Sequence, residues 1–303
     1  MNEYDMVTIR VPGSTANLGP GFDSIGLALN LFLSLEVERS NSWEVVMESK
    51  ELEVFPTDES NYIIQIALKT AELFHTSLPC CKVKMFSDIP LARGLGSSAA
   101  AIIAGIELAN VMGNLKLTNE EKFKIATEIE GHPDNVGASL FGGLVIGCQS
   151  DDEVVAVVDH TIDFDLIAVI PKLELLTKDA RNVLPSELRF SEAVKAGAIT
   201  NVMVAAFLNK DYALAGKMMK KDLYHQPYRR KLVPHLAEIE ELAYKSGAFG
   251  VALSGAGPTV ICCCEKGKGN ELLGILKELD LGMSCCQLEI AQEGSSVHVQ
   301  KYV

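Results

Sequence analysis

Apolar and polar positions along this chain recur with two different periods. Val7, Ile9 and Val11 stand two apart between polar neighbours, the pattern of a half-buried strand, expected to stop at Pro12-Gly13. The same two-residue period runs through 27–37, and 43–48 is expected as its neighbouring strand. In 61–75 the period changes, and Ile63, Ile64, Ala67, Leu68 and Ala71 share one helical face. A strand follows at 82–86, then an alanine-rich helix at 97–112 opened by a glycine loop. Thr118-Asn119-Glu120-Glu121 is a capping box whose helix runs toward Glu130. Segments 142–147 and 154–158 are expected to form a hairpin.

After residue 160 the alternation starts again. A strand at 166–170 is stopped by Pro171, and helices are expected at 190–209, 212–221 and 234–246. Strands at 250–254 and 259–264 flank the turn 255–258, followed by a helix at 269–279 and a strand at 285–290. Strands and helices mixed in both halves predict an α+β protein. The expected units are 1–160 and 161–303.

The charge narrows the range of partners. Among 303 residues, 27 Lys and Arg against 40 Asp and Glu leave a net charge of −13. Such a chain lacks the basic surface that displaces counterions from nucleic acid, and it is repelled by anionic membranes. Apolar residues at 48% suffice for a real core. The acidic start Met1-Asn2-Glu3-Tyr4-Asp5 has no leader pattern, and the longest nearly apolar stretch, 99–106, is far shorter than a membrane span. A cytoplasmic protein is therefore expected. The eight cysteines cluster as 80–81, 148, 262–264 and 285–286, without a CxxC pair, and read as reduced core thiols.

Three glycine-rich loops carry the candidate chemistry. The middle one is Pro90-Leu91-Ala92-Arg93-Gly94-Leu95-Gly96-Ser97-Ser98-Ala99-Ala100. Its glycines let backbone approach a ligand, and Ser97 and Ser98 open a helix whose free N–H groups suit a phosphate. A glycine turn with a serine cap would account for the loop equally well. No Walker A sequence is present, and Gly94-x-Gly96-x-x-Ala99 lies too far from the preceding strand for a dinucleotide fold. The other two loops are 12–23, with Asn17 and Asp23, and 253–259, the turn LSGAGPT.

Together, in this order, the loops resemble the three motifs of the GHMP kinase superfamily. Within it the chain resembles the homoserine kinase family, through VPGSTANLGPGFDSIGLAL, EGHPDNVGASLFGG (130–143), TKDARNVLP (177–185) and QPYRRKLVP (226–234). The resemblance spans essentially the whole chain. It implies an N-terminal half like ribosomal protein S5 domain 2, a ferredoxin-like C-terminal half, and an active site between them. It also implies ATP- and Mg2+-dependent phosphorylation of L-homoserine in threonine biosynthesis by a cytoplasmic homodimer. A kinase with a mevalonate- or shikimate-type acceptor is the alternative.

Roles follow from this resemblance. Residues 90–100 would cradle ATP, and Ser98 and Glu130 would hold magnesium as hard oxygen ligands, with Glu128 as second choice. Arg181 and Arg229 would take the substrate carboxylate, with Arg230 the alternative to Arg229, and Asp23 would take the ammonium. Asn17, His132, Asp134 and Asn135 would border the substrate, Asn17 and Asn135 nearest its reacting hydroxyl. Where mevalonate and galactose relatives carry an aspartate base, this chain has Asn135, which cannot accept the proton. Direct transfer to the γ-phosphate is expected, and Asp23 or Asp134 as base is the rival mechanism.

Overall fold

The computed structural model describes residues 6–151, 153–279 and 282–300, so the acidic start at 1–5 lies outside the described residues. The N-terminal lobe contains β1 (Met6–Ala16), β2 (Ile25–Arg39), β3 (Glu44–Met47), α1 (Tyr62–Leu73), β4 (Cys81–Ser87), α2 (Ser97–Met112), α3 (Asn119–Glu130), α4 (Pro133–Phe141), β5 (Leu144–Gln149) and β6 (Val154–Asp159). The C-terminal lobe contains β7 (Asp165–Ile170), α5 (Thr177–Asn182), α6 (Phe190–Leu208), α7 (Tyr212–Met219), α8 (Gln226–Arg229), α9 (Leu236–Lys245), β8 (Ala248–Leu253), β9 (Val260–Cys264), α10 (Gly269–Lys277) and β10 (Ser284–Leu288). A last strand, β11 (Ser296–Gln300), follows. The second sheet runs β10-β7-β9-β8 with every pair antiparallel, the ferredoxin-like order. The α+β reading holds.

Several local expectations change. β1 does not stop at Pro12-Gly13: its register against β2 shifts there and pairing resumes to Ala16. A proline without an N–H is accommodated at such an irregularity. β3 does not border β2, because β1 and β4 already occupy both edges of β2. It pairs parallel with β4 instead. The end of the expected unit 161–303 returns to the first sheet, where β11 pairs with Met6–Arg10 of β1. α4 escaped the periodicity because all but its last residue are buried, leaving no polar face to mark it.

α2 is likewise buried almost all round, with Ala99, Ala100, Ile102, Ile103 and Ala104 fully inaccessible. One core cluster runs from β1 and α2 through Phe164, Leu166 and Phe207 to Ile261 and Cys263, so the lobes share packing. Cys262–Cys264 are buried as expected, whereas Cys148 is exposed; all eight thiols are free. α6 corrects the reading of apolar stretches: at 19 residues and mean hydropathy 1.2 it is long and apolar enough to cross a membrane by length and composition. Glu192 and Lys195 interrupt its apolar run. Its Ala196, Ile199, Met203, Ala206 and Phe207 pack into the body.

Candidate active site

The three glycine loops meet where β1, α2 and the β8–β9 turn converge. Gly94 and Gly96 adopt φ of 75° and 77°, a region L side chains rarely enter. A Cβ on Gly94 would collide with Ser254 O, and one on Gly96 with Ser14 Oγ. Both positions therefore demand glycine twice over. Ser254 Oγ donates to Gly94 O and lies 2.8 Å from Thr15 Oγ1. Asn17 Nδ2 donates to Gly255 O at 3.0 Å, and Asn17 Oδ1 accepts from Asp23 N at 3.0 Å.

The loops enclose a polar cleft of about 240 Å³ between the lobes. Its lining brings together Asn17, Asp23, Glu130, His132, Asp134, Asn135, Arg181 and Arg229. Of the loop 90–100, Ala92, Gly94, Gly96, Ser97 and Ser98 line it. Leu95, Ala99 and Ala100 are buried in packing, Pro90 does not line the cleft, and the Arg93 guanidinium faces the segment after β7. Beside the cleft lies a second, mainly apolar pocket of about 300 Å³ lined by Leu33, Tyr62, Met85, Ile89, Leu91 and Ala101 and sharing Ala92, Ser97 and Ser98. Its walls come from four separate elements and their connections, so no contiguous sequence signal announced it.

At the α2 end, Ser98 Oγ donates to Glu130 Oε2 at 3.1 Å. Burial holds the Glu130 carboxyl above its ordinary range, opposed by His132 and by the Ser98 hydrogen bond. The Ser98 hydroxyl at the N-terminus of α2 and the Glu130 carboxylate at the C-terminal end of α3 are two hard oxygen donors that fit a divalent cation. Glu128 is exposed and does not line the cleft.

At the other end, Arg181 grips Asp23 through two parallel bonds, Nη1–Oδ2 at 3.0 Å and Nη2–Oδ1 at 2.8 Å. Arg229 is 2% exposed and donates to Ala180 O (3.1 Å) and Gly255 O (2.9 Å). Among the described residues it has no carboxylate in ion-pair contact. Burial and the like charge of Arg181 bring its pKa down to about 10. Arg230, by contrast, pairs with Glu240 outside the cleft.

His132 Nδ1 lies 2.5 Å from Asp134 Oδ1, which also accepts from Asn135 N at 2.6 Å. Burial works against charge on His132, but Asp134, Asp23 and Glu130 outweigh it and raise its pKa. Asp23, His132 and Asp134 also place three ligand atoms within 4.8 Å of one another. Each carboxylate already has cationic or N–H partners. Asn135 Nδ2 donates to Ser14 Oγ at 2.9 Å, fixing the α4 N-terminus against β1.

Two contributors were missed in the sequence. Phe22 packs against His225 at 5.3 Å between centroids, with the Arg229 guanidinium 5.2 Å from its ring. His225 is fully buried, which lowers its pKa, and it reaches Gly19 O through Nε2 (2.9 Å) and Arg229 Nη1 through Nδ1 (3.2 Å). Phe22 stood inside a quoted motif and His225 immediately before one, but only their neighbours carried obvious charge.

The comparisons agree with this geometry. Residues 61–143 match the family model of the GHMP kinases N terminal domain, and 203–279 that of the GHMP kinases C terminal. The chain is 51% identical over 298 residues to the homoserine kinase of Bacillus velezensis, covering 98% of this chain and 96% of the relative. It is 54% identical over 273 residues to that of Bacillus licheniformis, covering 90% and 89%. The crystal structure of homoserine kinase from Cytophaga hutchinsonii superimposes with a TM-score of 0.85 at 26% identity, covering 98% of this chain and 99% of that one. With two lobes, three converging glycine loops and relatives aligned from end to end, this chain belongs to the GHMP kinases and, within them, to the homoserine kinase family.

Proposed function

We propose that this chain transfers the γ-phosphoryl group of ATP to the side-chain hydroxyl of L-homoserine, giving ADP and O-phospho-L-homoserine. The observation that carries this reading is charge placement at the acceptor end of the cleft. A buried Arg229 with no carboxylate in ion-pair contact among the described residues stands beside a paired Asp23 and Arg181. A zwitterion satisfies all three: its carboxylate takes the two guanidinium groups and its ammonium takes Asp23. An acceptor such as mevalonate or shikimate, lacking the ammonium, would leave Asp23 without use.

The nucleotide would lay its base in the apolar pocket and its phosphates along Gly94–Ser98, where N–H groups of the α2 N-terminus converge. Ser98 and Glu130 would hold magnesium, which when bound neutralises charge on the phosphate oxygens. Asn17 and Asn135 build the wall beside the hydroxyl, each anchored by its own amide. Neither rival base is well placed to take a proton. Asp134 is engaged by His132 and by Asn135 N–H, and Asp23 would be engaged by the substrate ammonium. The hydroxyl oxygen therefore attacks phosphorus as the bond to the β-phosphate oxygen breaks, and its proton leaves to the transferred phosphate or to water. Catalysis on this view is positioning plus charge neutralisation.

Cytoplasmic residence and a homodimer belong to the same proposal; the exposed apolar residues of α6, Phe190, Val194, Val202 and Leu208, offer a surface for a second copy. Phosphorus NMR of a reaction with Mg-ATP and L-homoserine tests the chemistry. A phosphomonoester appearing in step with ADP is expected, and ADP without it would contradict the assignment.

A further inference from the structure

Arg93 sits inside the phosphate loop, yet its guanidinium is committed elsewhere. Nε donates to Pro171 O at 3.0 Å, Nη2 to Lys172 O at 2.9 Å and Nη1 to Leu91 O at 3.0 Å, while Glu174 lies 3.4 Å from Nη1. The preceding residue contributes too: Leu175 N donates to Ala92 O at 3.4 Å. The polar ties between the strap 171–175 and the N-terminal lobe thus run to two consecutive residues of the loop. This strap leads into α5, which carries Arg181 and whose Ala180 O holds Arg229 Nε. A continuous chain of contacts joins the phosphate loop to both acceptor guanidinium groups.

We propose that Arg93 is a positioning residue that couples nucleotide binding to assembly of the acceptor pocket, and not a phosphate ligand. The inference deepens the kinase reading above and rests on it. A planar guanidinium can hold two successive carbonyls at once, which a lysine ammonium cannot do with the same geometry. A phosphate settling on Gly94–Ser98 restrains the backbone at 92–93, and through Arg93 it restrains the strap and α5. An amino acid drawn between Asp23 and Arg181 acts back along the same contacts. The coupling is therefore reciprocal, as linkage requires.

The test uses the full chain as wild type, Arg93→Met and Arg93→Lys, with a non-hydrolysable Mg-ATP analogue. Calorimetry measures L-homoserine affinity with and without the analogue, and hydrogen exchange reads residues 171–182 in the same two states. In the wild type the analogue should tighten homoserine binding about tenfold and slow exchange across the strap. Both variants should bind the analogue within about threefold of wild type and lose the coupling and the protection. The lysine variant keeps the charge and guards against a folding failure of the methionine variant. A nucleotide affinity that drops tenfold or more, with coupling intact, would make Arg93 a phosphate ligand and overturn the proposal. So would a wild type in which the analogue changes neither homoserine affinity nor strap exchange. If the analogue protects the wild-type strap through Arg93 but homoserine never binds, the acceptor reading fails and the coupling stands.

Discussion

Replacing Asp23 by asparagine isolates the ammonium contact. The Asp23 and Arg181 side chains are 32% and 38% exposed, so their mutual pair contributes no more than about 1 kcal/mol to stability. A charge-assisted bond from the ligand ammonium contributes more, about 1.5–3 kcal/mol. Substrate must first part the Asp23–Arg181 pair, which returns some of that energy in the variant. The net loss is then centred near 1.75 kcal/mol, or about 20-fold in affinity at 1.36 kcal/mol per decade. Calorimetric and steady-state titrations with L-homoserine should show this rise, with a melting temperature shifted by only a few degrees. The deaminated acceptor 4-hydroxybutyrate, weak to begin with, should lose nothing. Homoserine affinity within about twofold of wild type, or an equal loss for both acceptors, would refute the placement of the ammonium.

Three further outcomes follow from the same cleft. Arg229→Met leaves Ala180 O without its side-chain donor and Gly255 O with Asn17 Nδ2 alone. It should destabilise the fold by about 3 kcal/mol in calorimetric melting and abolish homoserine binding, while Arg229→Lys recovers some stability without the binding. Burial holds the Glu130 carboxyl above its ordinary range, so Mg2+ or Mn2+ affinity should fall as pH drops through that raised value. Metal titration of Glu130→Gln should show weak binding without that pH slope, and an unchanged slope would point to another ligand. Because the folded-state pKa of His132 is raised, its charge stabilises the fold fully below the unfolded value near 6.5 and loses this effect as pH rises through the folded value. The melting difference between wild type and His132→Asn should therefore be largest near pH 6 and shrink toward pH 9.

The sequence carried the framework because its signals are local. The capping box at Thr118 and the glycine loop before α2 lie where the pattern put them. Charged candidates were legible too, since Asp23, Glu130, Arg181 and Arg229 stand in short quoted segments and meet in one cleft. What escaped depends on distant pairing. β11 is a short strand whose place is fixed only by the free edge of β1. The apolar pocket exists only once β2, α1, β4 and the phosphate loop surround it. The orientation of Arg93 was equally hidden, because two of its acceptors are the carbonyls of Pro171 and Lys172, nearly eighty residues away and invisible to any side-chain pattern.

Acceptor choice is the most direct test of the whole account. ADP release should be measured from Mg-ATP with L-homoserine, mevalonate, shikimate and galactose in parallel. Turnover with homoserine alone is the predicted result; no homoserine turnover above background, or preference for an acceptor without an ammonium, would contradict it.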